Sequence, residues 1–197
     1  MRYLVVHAHP SPSSFSRALC DRAVAALTAA GHDVELIDLY AERFEARLSR
    51  EERLSYESDE PILDPQIRRY ADLVLGCAGL VFIYPTWWSG APAILKGWLE
   101  RVLVPGVSFT LDPLTHKVQP GFGHVRRIVG ITTYGSPRWN VWLMADGGRR
   151  LILRCVRILA PRLRCRSRWL ALYDVDRSTD EQRQAFLQRV ENTMAAL

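Results

Sequence analysis

Short apolar runs alternate along this chain with stretches whose apolar positions recur at helical spacing. Tyr3-Leu-Val-Val6 predicts a buried strand at the start. Ala8 to Ser14, with two prolines and three serines, reads as a loop. From Phe15 to Ala30, the residues Leu19, Ala23, Ala26, Leu27 and Ala30 mark one face of a helix, and Gly31 is its expected stop. Asp33 to Leu39 alternates toward a second strand. Tyr40 to Asp64 is a polar excursion in which Ser49-Arg-Glu-Glu52 forms a capping box for a short helix. Pro65 to Leu75 predicts a helix with Ile67, Tyr70, Ala71 and Val74 inward, followed by a third strand at Gly79-Leu-Val-Phe-Ile83. Ile94, Leu95, Trp98, Leu99 and Val102 then share a helix face, with Pro92 in the first turn. Leu103 to His124 carries Pro105, Gly106, Pro113, Pro120, Gly121 and Gly123 and admits no long regular element. Ile128 to Ile131 is a fourth strand, and Thr133 to Asn140 a loop. Val141 to Leu159 reads as a helix interrupted at Gly147-Gly148, and Arg168 to Tyr173 as a fifth strand. Ser178-Thr-Asp-Glu181 is a capping box opening a last helix that turns Phe186, Leu187, Val190 and Met194 inward.

Strands alternating with helices predict an α/β fold. The expectation is a single domain over residues 1–197 with a flavodoxin-like, five-stranded parallel sheet, order 2-1-3-4-5, and helices on both faces. In such a sheet the ligand lies beyond the carboxyl ends of the strands, where the strand order reverses. Three loops meet there: residues 8–16, 85–91 and 132–140.

Composition adds little to this picture and excludes some alternatives. The 48% hydrophobic and 24% charged content is that of a globular protein. No apolar run approaches the roughly 18 residues of a membrane span, and no targeting segment is evident, so a cytoplasmic location is expected. Cys20, Cys77, Cys155 and Cys165 are widely spaced and read as reduced thiols. The net charge of +5 is concentrated late, at Arg149, Arg150, Arg154, Arg157, Arg162, Arg164, Arg166 and Arg168. That run is either an anion-binding patch or a solvated helix face with a basic turn. No nucleic-acid motif accompanies it, and no nucleic-acid partner is expected.

The loops hold the candidate chemistry. His9, Ser14 and Ser16 lie where a helix begins near Phe15, and free N–H groups there favour a phosphate. The loop is neither a dinucleotide glycine fingerprint nor an NTPase loop. His9-Pro10 is followed by Ser11-Pro12 rather than acids, which excludes a zinc deacetylase site; no metal is expected. Trp87 and Trp88 sit in a Pro/Ser/Gly-rich loop where a planar ring would use an apolar face and backbone amides; one of the two is expected instead to cap the core or fill a dimer contact. Thr132, Thr133, Tyr134 and Gly135 offer hydroxyls and close backbone approach to the same ring, and Trp139 could wall a substrate pocket.

These residues resemble a known family. His9-Pro10 with Ser14-Phe15, Pro85-x-Trp87-Trp88 with Ala91-Pro-Ala-Ile-Leu-Lys-Gly-Trp98-x-Glu100-Arg-Val102, and Thr132-Thr133-x-Gly135 look like the NAD(P)H:quinone oxidoreductases of flavodoxin-like fold. That group includes drug-activity modulators and ancillary subunits of potassium efflux systems. The resemblance implies a homodimer with FAD or FMN, and NAD(P)H as cosubstrate. It implies flavin phosphate contacts at His9, Ser14, Phe15 and Ser16. It implies ring contacts at Pro85, Thr86, Trp87, Trp88 and Ser89 and at Thr132 to Gly135, with Phe109 walling the partner's cavity. Two-electron transfer from NAD(P)H through flavin to quinones follows, with no side chain required as nucleophile or obligatory acid. Nitro- or azo-compound reduction, a regulatory subunit docked on a transporter and a one-electron carrier are the alternatives. The family's tyrosine and histidine after the third loop are replaced here by Trp139-Asn140 and Ala145-Asp146-Gly147.

Overall fold

The fold is described by a computed structural model that covers every residue except 59, 113 and 116, so Pro113 of the second excursion lies outside the described residues. Five parallel strands, β1 (Arg2–His7), β2 (Asp33–Asp38), β3 (Gly79–Pro85), β6 (Arg127–Thr133) and β7 (Arg166–Leu172), form one sheet in the order β2-β1-β3-β6-β7. A small antiparallel hairpin, β4 (Phe109–Leu111) with β5 (Val118–Pro120), stands apart inside the second excursion. This is the expected sheet, because each crossover carries a helix.

Side-chain alternation along the buried strands divides the core in two. Leu4, Val6, Leu80, Phe82, Tyr84 and Ile128 face α3 (Pro65–Gly76) and α4 (Ala93–Val102). Tyr3, Val5, Val81, Ile83, Val129 and Ile131 face α1 (Phe15–Ala29) and α7 (Asp180–Ala195).

The first excursion is anchored, not loose. Its helix α2 (Arg50–Ser55) has the capping box at Ser49 and Glu52. From there the buried Glu52 carboxylate accepts from Arg101 Nε and Nη2 of α4, at 2.9 and 2.6 Å. Arg101 also reaches Asp64 at 3.1 Å and the Glu45 carbonyl. A Cβ on Gly97 would lie 2.1 Å from the Ala46 carbonyl oxygen. The Lys-Gly-Trp-Leu-Glu-Arg part of the central motif is therefore scaffold: glycine lets the excursion cross α4, and arginine ties it down.

Several boundaries differ from expectation. Pro92 is the N-cap of α4 and not inside its first turn. The last helix is capped one residue later, by Thr179 with Gln182, because the Ser178 hydroxyl is donated to the Val175 carbonyl in a preceding 3-10 turn (Val175–Arg177). The third loop is shorter, since α5 (Arg138–Leu143) occupies its end. The long helix expected after it breaks before Gly147, at Ala145 and Asp146, whose φ values are +66° and +42°. Gly147 and Gly148 instead open α6 (Gly147–Arg150), capped by the Asp146 side chain. A π-helical turn (Leu151–Val156) and a 3-10 turn (Arg157–Leu159) follow.

Candidate functional site

The three loops converge at the carboxyl ends of β1, β3 and β6, and short hydrogen bonds lock two of them together. The Thr86 N–H donates to the Thr133 carbonyl at 2.8 Å, and the Thr86 and Thr132 hydroxyl oxygens lie 3.0 Å apart. Thr132 is fully buried, so it joins the loops and offers its side chain to no ligand.

The second loop is a tight reversal. Trp87 and Gly90 exchange backbone hydrogen bonds of 3.1 and 3.0 Å around Trp88 and Ser89, whose φ values are +49° and +57°. Two successive left-handed residues are the hallmark of a turn that prefers Asn-Gly. A bulky side chain in each position carries strain. Trp88 is also fully exposed, so burial does not offset it. The Ser89 carbonyl accepts from the Gly147 N–H at 3.1 Å, which brings the 144–147 break onto the rim. Gly148 keeps this approach close: a Cβ there would lie 3.0 Å from the buried Tyr84 hydroxyl, a contact tighter than side chains ordinarily make.

At the first loop, Ser14 caps α1 by accepting the Arg17 N–H at 3.1 Å. The N–H groups of Phe15 and Ser16 have no acceptor among the described residues. The Phe15 ring packs toward Phe186 with centroids 6.5 Å apart, and the Ser16 hydroxyl turns inward to within 3.4 Å of His7 Nε2. Only their backbone N–H groups face a ligand. His9 Nδ1 accepts from the Ser11 N–H at 3.0 Å, so a neutral ring carries its proton on Nε2, a donor. The His9 ring stands 6.0 Å from that of Trp87.

Between the second and third loops and the 140–146 segment lies a cleft of about 260 Å³ lined by Thr86, Trp88, Ser89, Tyr134, Gly135, Ser136, Asn140, Val141, Met144 and Asp146. Tyr134 donates its hydroxyl to both Asp146 carboxylate oxygens at 2.9 Å and stacks on Tyr173, ring planes 7° apart. Burial pushes the Tyr134 phenol up, and the Asp146 charge adds to that, so the tyrosine keeps its proton. The cysteines stand outside this site; burial pushes the Cys20 and Cys77 thiols up to about 12, which keeps them unreactive.

Of the residues singled out in the sequence, Thr86, Trp88, Ser89, Tyr134 and Gly135 line the cleft; Trp87 lies between two of them in the chain, and the His9 ring stands 6.0 Å from the Trp87 ring. Pro85 and Thr133 are buried strand ends beneath it. Trp139 does not line it: α5 turns Val141 inward and leaves Trp139 exposed. Phe109, expected to wall the partner subunit's cavity, sits half-buried on the β4–β5 hairpin. Asp146 was the residue whose place the sequence did not disclose. Its signal is Asp before Gly-Gly, an N-cap pattern.

A flavin fits these residues. Unpaired N–H groups at a helix start suit a phosphate, and the turn offers an exposed tryptophan and the free N–H groups of Trp88 and Ser89.

The chain belongs to the flavodoxin-like fold family, whose model matches residues 1–148. It is 37% identical over 150 residues to NAD(P)H dehydrogenase [quinone] 1 of Rattus norvegicus, covering 68% of this chain and 54% of that protein. It is 37% identical over 179 residues to ribosyldihydronicotinamide dehydrogenase [quinone] of Homo sapiens, covering 77% and 71%. The solved NAD(P)H:quinone oxidoreductase from Methanothermobacter marburgensis superposes with a TM-score of 0.80 at 26% identity, over 99% of this chain and 96% of that one. The chain spans about half the length of the first curated relatives it matches.

Proposed function

We propose that this chain is a flavin-dependent NAD(P)H oxidoreductase that passes two electrons to quinones or similar small acceptors. The observation that carries this reading is the strained Trp87–Gly90 turn beside an open α1 N-terminus, at the point where strand order reverses. Strain held at an exposed tryptophan has no structural use, and it serves a ligand that packs on the turn. Likeness to proteins named as quinone reductases supports the same reading.

Bound FAD or FMN would supply the hydride chemistry. The chain would hold its phosphate with the Phe15 and Ser16 N–H groups and His9 Nε2. It would hold the ring edge with the N–H groups of Trp88, Ser89 and Gly135. The cleft between Trp88 and Tyr134 would orient the second reactant and exclude water. Tyr134 keeps its one hydroxyl proton, which is committed to Asp146, so it would offer a ligand its acceptor lone pairs and would not act as an acid that titrates. The chain would work as a homodimer: α5 leaves Trp139 and Leu143 exposed beside the cleft, with Met144 following.

The test is to release the cofactor by heat, identify it by mass, and follow NADPH and NADH oxidation with a benzoquinone. Flavin bound one to one with ping-pong turnover is expected. Protein that carries no flavin after reconstitution, or carries it without turnover, overturns the reading.

A further inference from the structure

The basic run late in the sequence is divided by the fold, and four arginines are gathered in one place. Arg138 on α5, Arg149 and Arg150 on α6 and Arg154 on the π-helical turn line a second cleft of about 390 Å³. Trp142 and Tyr173 supply aromatic faces to its wall. The cleft adjoins the first, since Val141 and Asp146 line both.

The guanidinium groups of these four make no hydrogen bond or ion pair among the described residues. The rest of the run is placed differently. Arg157 is spent on the carbonyls of Ala160, Arg162 and Cys165, and Arg166 and Arg168 lie on β7. The one acid in the cleft, Asp146, is occupied by the Tyr134 hydroxyl and the Arg149 N–H. Four unneutralised cations around one concavity repel one another and raise the local concentration of anions. Their planar forks match phosphate oxygens in pairs.

We infer that this cleft receives the 2′-phosphate of the dinucleotide cosubstrate, and that the protein therefore selects NADPH over NADH. The inference rests on the proposed oxidoreductase reading, which supplies a dinucleotide whose nicotinamide end lies in the adjoining cleft. A phosphate monoester brings close to two negative charges and three acceptor oxygens. The NADH ribose offers one neutral hydroxyl at the same position. Trp142 and Tyr173 give the adjacent adenine a flat apolar contact.

Adenosine 2′,5′-bisphosphate (2′,5′-ADP) and adenosine 5′-diphosphate (5′-ADP) carry the same number of phosphates and differ in where the second one sits. Their binding to the flavin-loaded protein is followed by calorimetry, with no turnover required. Wild type should bind 2′,5′-ADP about tenfold tighter or more, the worth of one or two charge-assisted hydrogen bonds. The double variant Arg150→Ala/Arg154→Ala should lose that preference. Arg162→Ala/Arg164→Ala, which removes equal charge from an exposed turn, should keep it. Equal affinity of wild type for the two nucleotides overturns the inference, as does an equal loss in both double variants. Turnover with NADH and no 2′-phosphate preference sinks this inference and leaves the oxidoreductase reading standing. A 2′-phosphate preference in protein without turnover does the reverse.

Discussion

Trp88 concentrates the residue-scale argument. A left-handed tryptophan with its side chain in solvent contributes neither packing nor relaxed backbone. Replacing it by glycine should relieve on the order of 1 kcal/mol of strain. Trp88→Gly is therefore expected to melt at the same temperature or a few degrees higher in the flavin-free form, while retaining less flavin on gel filtration. Lower stability of the flavin-free variant would show that the tryptophan is structural. His7 is the second case. It is buried between Asp38, at 3.2 Å, and Ser16, with Arg17 and His9 nearby. Burial lowers its pKa below the ordinary 6.5, more than the Asp38 hydrogen bond raises it. The unfolded chain thus binds this proton more readily. Stability from this residue is complete above pH 6.5 and is lost as pH falls through that value toward the folded pKa. Urea midpoints measured from pH 7.5 to 5 should fall, and His7→Gln should flatten that slope.

At the scale of elements, helix α4 couples the site to the first excursion. Its N-terminus follows the Trp87–Gly90 turn, and its last turn carries Arg101, buried against Glu52 and Asp64. Removing one member of a buried ion pair leaves the other charged and unpaired, which costs about 3–5 kcal/mol. Arg101→Ala should lower unfolding stability by that amount and expose residues 45–64 to limited proteolysis before the rest unfolds. A loss under 1 kcal/mol would mean that Glu52 finds water instead. The break at Ala145 and Asp146 is a second coupling device. It sets α6 against the turn through the Gly147-to-Ser89 hydrogen bond and leaves Asp146 both capping a helix and holding Tyr134.

For the whole molecule, the apolar surface beside the cleft sets the association expected of it. Trp139 and Leu143 are four residues apart and so share one face of α5, both more than two-thirds exposed. A homodimer that buries this face is expected by light scattering at micromolar concentration. The pair Trp139→Glu/Leu143→Glu should shift it to monomer and reduce flavin retention with it. A wild-type monomer at that concentration would remove the subunit partner from the proposal. The described helices include none long and apolar enough to cross a membrane.

Strand and helix order and the loops between them were legible in the sequence, because each rests on local periodicity and on glycine, proline and capping residues; the 2-1-3-4-5 order followed from the alternation of strands with helices, read as a doubly wound sheet. Gly31 at φ +79° and the Ser49–Glu52 box stand where composition put them. What only the tertiary structure decided depends on residues distant in sequence meeting. The meaning of Gly97 lies in Ala46, and that of Gly148 in Tyr84. Trp139 lost its expected wall position because a short helix began earlier than periodicity indicated, which rotated Val141 inward. Asp146 became part of the site because the chain reversed at two successive left-handed residues, of which aspartate tolerates that conformation and alanine does not favour it. The basic run read as one feature along the chain, and the fold separated it into a cleft and a surface, since charge in a sequence has no direction until side chains share a wall.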